Sequence, residues 1–128
     1  MVGQNCLKVL YEASVKNLDI GFFATKMIFH GTNPPVINAA GDAFGIDGAA
    51  RNIGYKEIDG GQYDKEREVF GACAGAALYR RKMFDEIGLF DEDFYIILED
   101  VDLDFRAQLA GYRCLYVPNA VVYHIHAG

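Results

Sequence analysis

The sequence predicts one α/β domain, and three observations carry that expectation. Stretches with strand character alternate with stretches of helical periodicity, with no internal repeat and no linker between them. The length, 128 residues, suits a single domain, and a chain of this size buries roughly two thirds of its unfolded surface. The composition, 52% hydrophobic and 23% charged, excludes a disordered or low-complexity protein.

Residues 5–17 read as a helix, with Leu7, Leu10, Tyr11, Ser14 and Val15 at spacings of three and four and Asn5 placed to cap. Ile20 to Phe29 reads as a buried strand, β-branched and aromatic, interrupted only by Gly21. The next segment, 30–65, holds half the glycines and Pro34-Pro35. It is expected to be mostly loop, with short strands around Val36–Ala39 and Ala50–Tyr55; loops this long tend to be functional. Val69 to Tyr79 is small and apolar, and glycines there suit a close approach to the backbone. Arg80–Ile87 predicts a short helix stopped by Gly88, and Asp100–Ala110 a second stopped by Gly111. Val101, Phe105 and Leu109 form the expected apolar stripe of that second helix, and Asp102 and Arg106 can pair at i, i+4. Tyr112–Val117 and Ala120–Ile125 read as two strands joined by a Pro118-Asn119 turn.

Charge narrows the function classes. Twelve basic against eighteen acidic residues give a net charge of −6, which argues against a nucleic-acid partner needing a basic face. Nine of the acids fall between Asp85 and Asp104 with no Lys or Arg among them. Such a cluster reads either as a solvated acidic face or as a site that handles cations or protons. Cys6, Cys73 and Cys114 are widely spaced and form no CxxC, so they read as small core residues in a reducing compartment. No basic n-region opens the chain and no apolar run reaches the ~18 residues of a membrane span.

Within the acidic cluster, Glu99-Asp100-Val101-Asp102 stands where the second helix begins. A carboxylate there is stabilised by unpaired N–H groups and the helix dipole, so Asp100 reads structurally as a cap. The same geometry positions a general base or a metal neighbour, and an adjacent acid raises its proton affinity. His124 and His126 end the last strand on one side, as satisfied histidines or as metal or anion contacts.

Taken in order, these residues carry a resemblance. The elements are Gly71-Ala72 and Gly75-Ala76, Arg80-Arg81-Lys82, Ile87-Gly88-Leu89-Phe90-Asp91-Glu92-Asp93-Phe94, Glu99-Asp100-Val101-Asp102-Leu103, Arg106, Gly111-Tyr112, Tyr116-Val117-Pro118-Asn119-Ala120 and His124. Each is weak alone; their order and spacing resemble the C-terminal, acceptor-side half of family 2 glycosyltransferases, inverting enzymes of GT-A type. Residues 5–70 are similar more loosely. The resemblance implies a partial GT-A-like mixed sheet flanked by helices. It implies transfer of a sugar from a nucleotide-sugar donor to a saccharide or lipid-linked acceptor by a single in-line displacement. It gives Asp100 the role of base toward the acceptor hydroxyl and Glu99 that of orienting the acceptor or tuning the base. Gly71, Ala72 and Gly75 would lie beside the sugar and acceptor, Arg80 and Arg81 could meet phosphate, and His124 would ligate a divalent metal, Mn or Mg.

The N-terminal nucleotide-binding βαβ half of such enzymes, ending in Asp-x-Asp, has no counterpart here. The expectation is therefore a truncated catalytic portion over 1–128, with a Gly-rich loop region at 30–65 and a base-bearing core at 66–128. It would be inactive alone and dependent on the missing half or on self-association. Substrate supply suggests a cytoplasmic site, with any membrane association arising outside these residues. The competing reading is a non-catalytic saccharide- or partner-binding module; a small cation-binding protein is a weaker third, lacking any EF-hand spacing.

Overall fold

The computed structural model describes residues 2–73, 76–88 and 99–125, the side chains at 99 and 100 excepted. In chain order the elements are α1 (Cys6–Lys16), β1 (Ile20–Phe29), β2 (Ile37–Ala40), β3 (Asp42–Phe44), β4 (Ala50–Asn52), β5 (Arg67–Val69), β6 (Ala77–Tyr79), α2 (Arg81–Ile87), α3 (Glu99–Leu109) and β7 (Arg113–His124). The architecture is α/β, a mixed sheet flanked by helices, consistent with a partial GT-A-like fold.

The spine of the sheet is the parallel pair β1 and β7, in register from Ile20 opposite Arg113 to Phe29 opposite His124. Every residue of β1 except Phe29 is buried, as expected of a strand covered on both faces. β6 pairs antiparallel with the first half of β1 and β2 with the second, while β5 pairs antiparallel with the start of β7. β3 and β4 form a separate hairpin.

Side-chain alternation sorts the core into two layers. Phe23, Leu115, Val117 and Ala120 face α1 and meet Cys6, Leu10 and Ala13. Phe22, Ala24, Cys114 and Tyr116 face the other way, toward Ala72, Met83 of α2 and Ala107 of α3.

Four expectations change at this level. Pro118-Asn119 is not a turn: β7 is continuous, and its register slips from Thr25 opposite Val117 to Lys26 opposite Val121. Residues 118–120 form a bulge, which accommodates a proline that has no N–H for the ladder. In α1 the buried face is Cys6, Leu10 and Ala13, not Leu7, Tyr11 and Val15; Leu7 is 75% exposed. Small residues at 6 and 13 let the helix axis come close to the sheet. In α3 the fully buried residues are Leu103, Asp104 and Ala107, while Leu109 is exposed. Asn5 precedes α1 without a side-chain capping bond; its carbonyl accepts from Val9 N–H instead. Other local readings hold. Gly88 and Gly111 stop their helices at φ 82° and 91°, and Arg106 Nε donates to Asp102 Oδ2 at 3.0 Å.

Beyond the pairing of β2 with β1, the end of segment 30–65 is pinned by a buried charge. Lys26, buried in β1, sends its ammonium to Asp64 Oδ1 at 2.7 Å and Asp59 Oδ2 at 3.1 Å. Burial opposes the Lys26 charge, but the bonds to Asp64 and Asp59 outweigh it and hold its pKa above the ordinary value. Tyr116 Oη adds a bond to the Tyr63 carbonyl at 2.8 Å.

Candidate functional site

The parallel strands β1 and β7 end together. His30 N–H donates to the His124 carbonyl at 2.9 Å, so two histidines 94 positions apart share one rim. The hydroxyl of Thr32 donates to Phe29 O and accepts from Val36 N–H, each at 2.9 Å, and closes the chain back toward β2. Lys56 N–H donates to Ile37 O and Ile37 N–H to Glu57 O, both at 2.8 Å. These bonds bring Tyr55 and Lys56 to the same rim. A cleft of about 520 Å³ lies between them, with His30, Lys56 and His124 supplying its nitrogen groups and Phe29, Val36, Tyr55 and Ile125 its apolar walls. Among the described residues no carboxylate lines it. Glu57, the nearest acid in sequence, is turned to Tyr63 Oη at 2.7 Å and Gln62 Nε2 at 3.3 Å.

Gly71 and Ala72 sit elsewhere, against α3. Asp42 and Gly71 exchange backbone bonds of 2.8 and 3.2 Å, and Ala72 N–H donates to Asp104 Oδ1 at 3.4 Å. The close approach at Gly71 is made by the Asp104 carboxyl, since a Cβ at residue 71 would stand 2.0 Å from Asp104 Cγ. Asp104 is fully buried and Asp42 nearly so. The buried Cys114 thiol is pushed well above its ordinary pKa by burial and then by the charges of Asp104 and Asp42. A half-buried aromatic trio adjoins this region, with Phe105 of α3 edge-on to Phe44 at 4.5 Å and to Phe70 at 5.1 Å.

The structure thus brings Gly71 and Ala72 to the helix that carries Glu99 and Asp100. That helix starts at Glu99, with Asp100 in its first turn; the side chains of Glu99 and Asp100, and all of Gly75 and His126, lie outside the described residues. Arg80 is placed apart. Its guanidinium donates to the carbonyls of Ile20, Ser14 and Asn17 and lies over the Phe23 ring, bracing α1 against the start of β1. That is the opposite end of a ten-residue strand from His124, roughly 30 Å away at 3.3 Å per residue. Arg81 opens α2 and is exposed.

His124 lies at the rim with His30 and Lys56 as its polar neighbours. Among the described residues no group of three or more His, Cys, Asp and Glu is placed to hold a metal ion. His124 can supply one imidazole, and the described residues do not complete a coordination set around it. Sequence reasoning missed His30, Tyr55, Lys56, Asp42 and Asp104. For Asp104 a signal existed, a carboxylate one residue from Leu103 and three from Ala107 on a helix. For His30 and Lys56 none existed, because only strand pairing makes them neighbours of His124.

No family model matches the chain. Two curated relatives, both named N-acetylglucosaminyl-diphospho-decaprenol L-rhamnosyltransferase, come from Mycobacterium tuberculosis, one from strain CDC 1551 / Oshkosh and one from strain ATCC 25618 / H37Rv. Each is 42% identical to this chain over 59 residues, which is 46% of the chain and 19% of the relative. The chain is related to a glycosyltransferase over that stretch. Among the described residues no helix is long and apolar enough to cross a membrane.

Proposed function

We propose that the chain carries the acceptor-side portion of an inverting, family 2 glycosyltransferase domain. The observation that carries this reading is the 59-residue stretch 42% identical to proteins named as rhamnosyltransferases. The ordered motifs from Gly71 to His124 and the α/β sheet with parallel central strands agree with it. The reaction is transfer of a sugar from a nucleotide-sugar to a saccharide or lipid-linked acceptor. The relatives' name favours an acceptor joined to its lipid through a diphosphate.

In this reading Asp100, at the start of α3, takes the proton of the acceptor hydroxyl as that oxygen attacks the anomeric carbon. Desolvation by the bound sugar raises the proton affinity of a carboxylate that the helix start would otherwise keep low. Glu99 orients the acceptor. A divalent metal, Mn or Mg, belongs to the full-length enzyme in this proposal, with His124 as one ligand and the others outside the described residues; it would offset diphosphate charge. In this reading the donor nucleotide is held by a βαβ half that these 128 residues do not carry, so transfer by the 128 residues alone is not expected.

The test is a transfer assay on the longest natural polypeptide that contains this sequence, using a nucleotide-sugar and a diphospholipid-linked saccharide. Asp100→Asn is expected to lower transfer at least a thousandfold, with donor binding kept within twofold. Full activity of that variant would remove Asp100 from the base role. A variant inactive for want of donor binding would move Asp100 from the base role to donor binding, and a parent polypeptide that binds saccharide without transferring it would favour the binding-module alternative.

A further inference from the structure

One face of the sheet packs on α1, while α2 and α3 pack on the other. Cys6, Leu10 and Ala13 turn α1 toward the sheet. Leu7, Tyr11 and Val15 stand at i, i+4 and i+8, one above another on a different flank of the same helix. With Leu18, just past the helix end, they are 55–79% exposed. The flank adjoins a groove of about 250 Å³ that Leu7 and Tyr11 line together with Leu78 of β6. Single exposed leucines are ordinary on a protein surface, but a patch of four large apolar side chains marks an interaction site. At these exposures the four offer roughly 500 Å² per copy. Two copies brought together on it bury roughly 1,000 Å², the size at which specific but weak association begins. Charge favours the same place. Residues 2–18 carry only Lys8, Glu12 and Lys16, whereas the chain as a whole has a net charge of −6. Two such acidic bodies meet on this stretch without the repulsion they face elsewhere.

We propose that this flank is a self-association face, on which two copies of the chain meet with α1 packed antiparallel on its counterpart. A closed dimer uses the same patch twice. A two-fold axis at Tyr11 therefore sets Tyr11 against its own counterpart and Leu7 against the partner's Val15. Each Lys8 then comes within a turn of the partner's Glu12, and the two helix dipoles oppose one another. Parallel packing gives neither. The inference stands apart from sugar transfer, because no residue of α1 has a part in that reading.

The experiment is sedimentation velocity of the 128-residue chain from ~1 to ~300 µM, a range that spans weak association. A limit of two copies is expected, with a dissociation constant of roughly 10–100 µM for an interface of this size. Tyr11→Glu, which sets two carboxylates together on the axis, and Leu7→Glu should each weaken association at least tenfold. Leu109→Glu, which replaces an exposed leucine of α3, should change it less than twofold. Melting at ~1 µM, where the chain is monomeric, should be the same for the parent and these variants, which separates lost association from lost folding. Tyr11→Cys should form a disulfide-linked dimer on mild oxidation and Leu109→Cys should not, because only a residue at the axis comes within the span of a disulfide. A chain that stays monomeric at the highest concentration, glutamate variants at 7 and 11 that associate as the parent does, or a mass that climbs past two copies would overturn the proposal. Binding of a monomeric chain to vesicles of phosphatidylglycerol and phosphatidylethanolamine, abolished by Tyr11→Glu, would overturn it by giving the face to a lipid surface. So would a monomeric state of the longest natural polypeptide that contains this sequence, with its Tyr11→Cys thiol shielded from a water-soluble maleimide, which would give the face to another segment of that polypeptide.

Discussion

Residue 71 shows how tightly one position can be specified. The Asp104 carboxyl occupies the space that any side chain at 71 would need, 2.0 Å from an ideal Cβ. The contact is between a strand-edge backbone and a buried helix residue, so neither side can swing into solvent. Gly71→Ala is expected to destabilise the chain by about 2–4 kcal/mol, read as a lower denaturant midpoint with unchanged slope. Combining it with Asp104→Ala, which reopens that space, should cost less than the two single changes summed. Additive losses would mean that the Asp104 side chain is not what Gly71 makes room for. In the sequence, Gly71 reads as a close-approach glycine, but nothing in the linear order says that the approaching group is a carboxyl 33 positions later.

At the scale of elements, punctuation was more legible than facing. Gly88 and Gly111 end their helices because glycine alone reaches their φ without strain, and that is a local property. The periodicity of α1 and α3 points to faces that differ from the buried ones, Leu10 excepted, because large apolar residues outweigh small ones in a periodicity argument. Packing against a sheet selects small residues such as Cys6, Ala13 and Ala107, which shorten the distance between layers. The structure therefore predicts that Leu7→Glu changes stability by less than about 0.5 kcal/mol. Ala13→Glu should cost about 3 kcal/mol or more by placing an unpaired charge between helix and sheet. Thermal melting of the two variants checks this, and the opposite order would restore the Leu7–Tyr11–Val15 face. The bulge in β7 has a similar lesson. A Pro-Asn pair marks a break in pairing, and only the partner strand decides whether the chain turns or continues.

For the whole molecule, the long glycine-rich segment is held to the sheet by the Lys26 ammonium and the Tyr116 hydroxyl. Lys26→Met keeps the strand packing but takes the cation from Asp59, which is largely buried and keeps only the Gly61 N–H. A loss of about 1–3 kcal/mol and faster proteolysis within 57–65 are expected. The groups with raised pKa values give the pH dependence its sign. Native Lys26 and Cys114 keep protons that the unfolded chain releases. Their stabilisation is thus complete below the ordinary values of 9.0 for the thiol and 10.5 for the ammonium, and is lost as pH rises through the raised ones. The melting temperature should fall between pH 9 and 11, less steeply in Lys26→Met; a flat profile would contradict the burial of Cys114 and the pairing of Lys26 with Asp64 and Asp59.

What the sequence determined by itself was the class of fold, the position of most helices and strands, and the ordered motifs that carry the resemblance to family 2 glycosyltransferases. These follow from periodicity, from glycine's access to positive φ, and from residue order, all of which are local along the chain. Tertiary structure decided which helix faces are buried, that 113–124 is one strand, that Arg80 braces backbone carbonyls, and that His30, Lys56 and His124 share a rim. Those outcomes depend on strand pairing and layer spacing between residues tens of positions apart, and no local pattern encodes them.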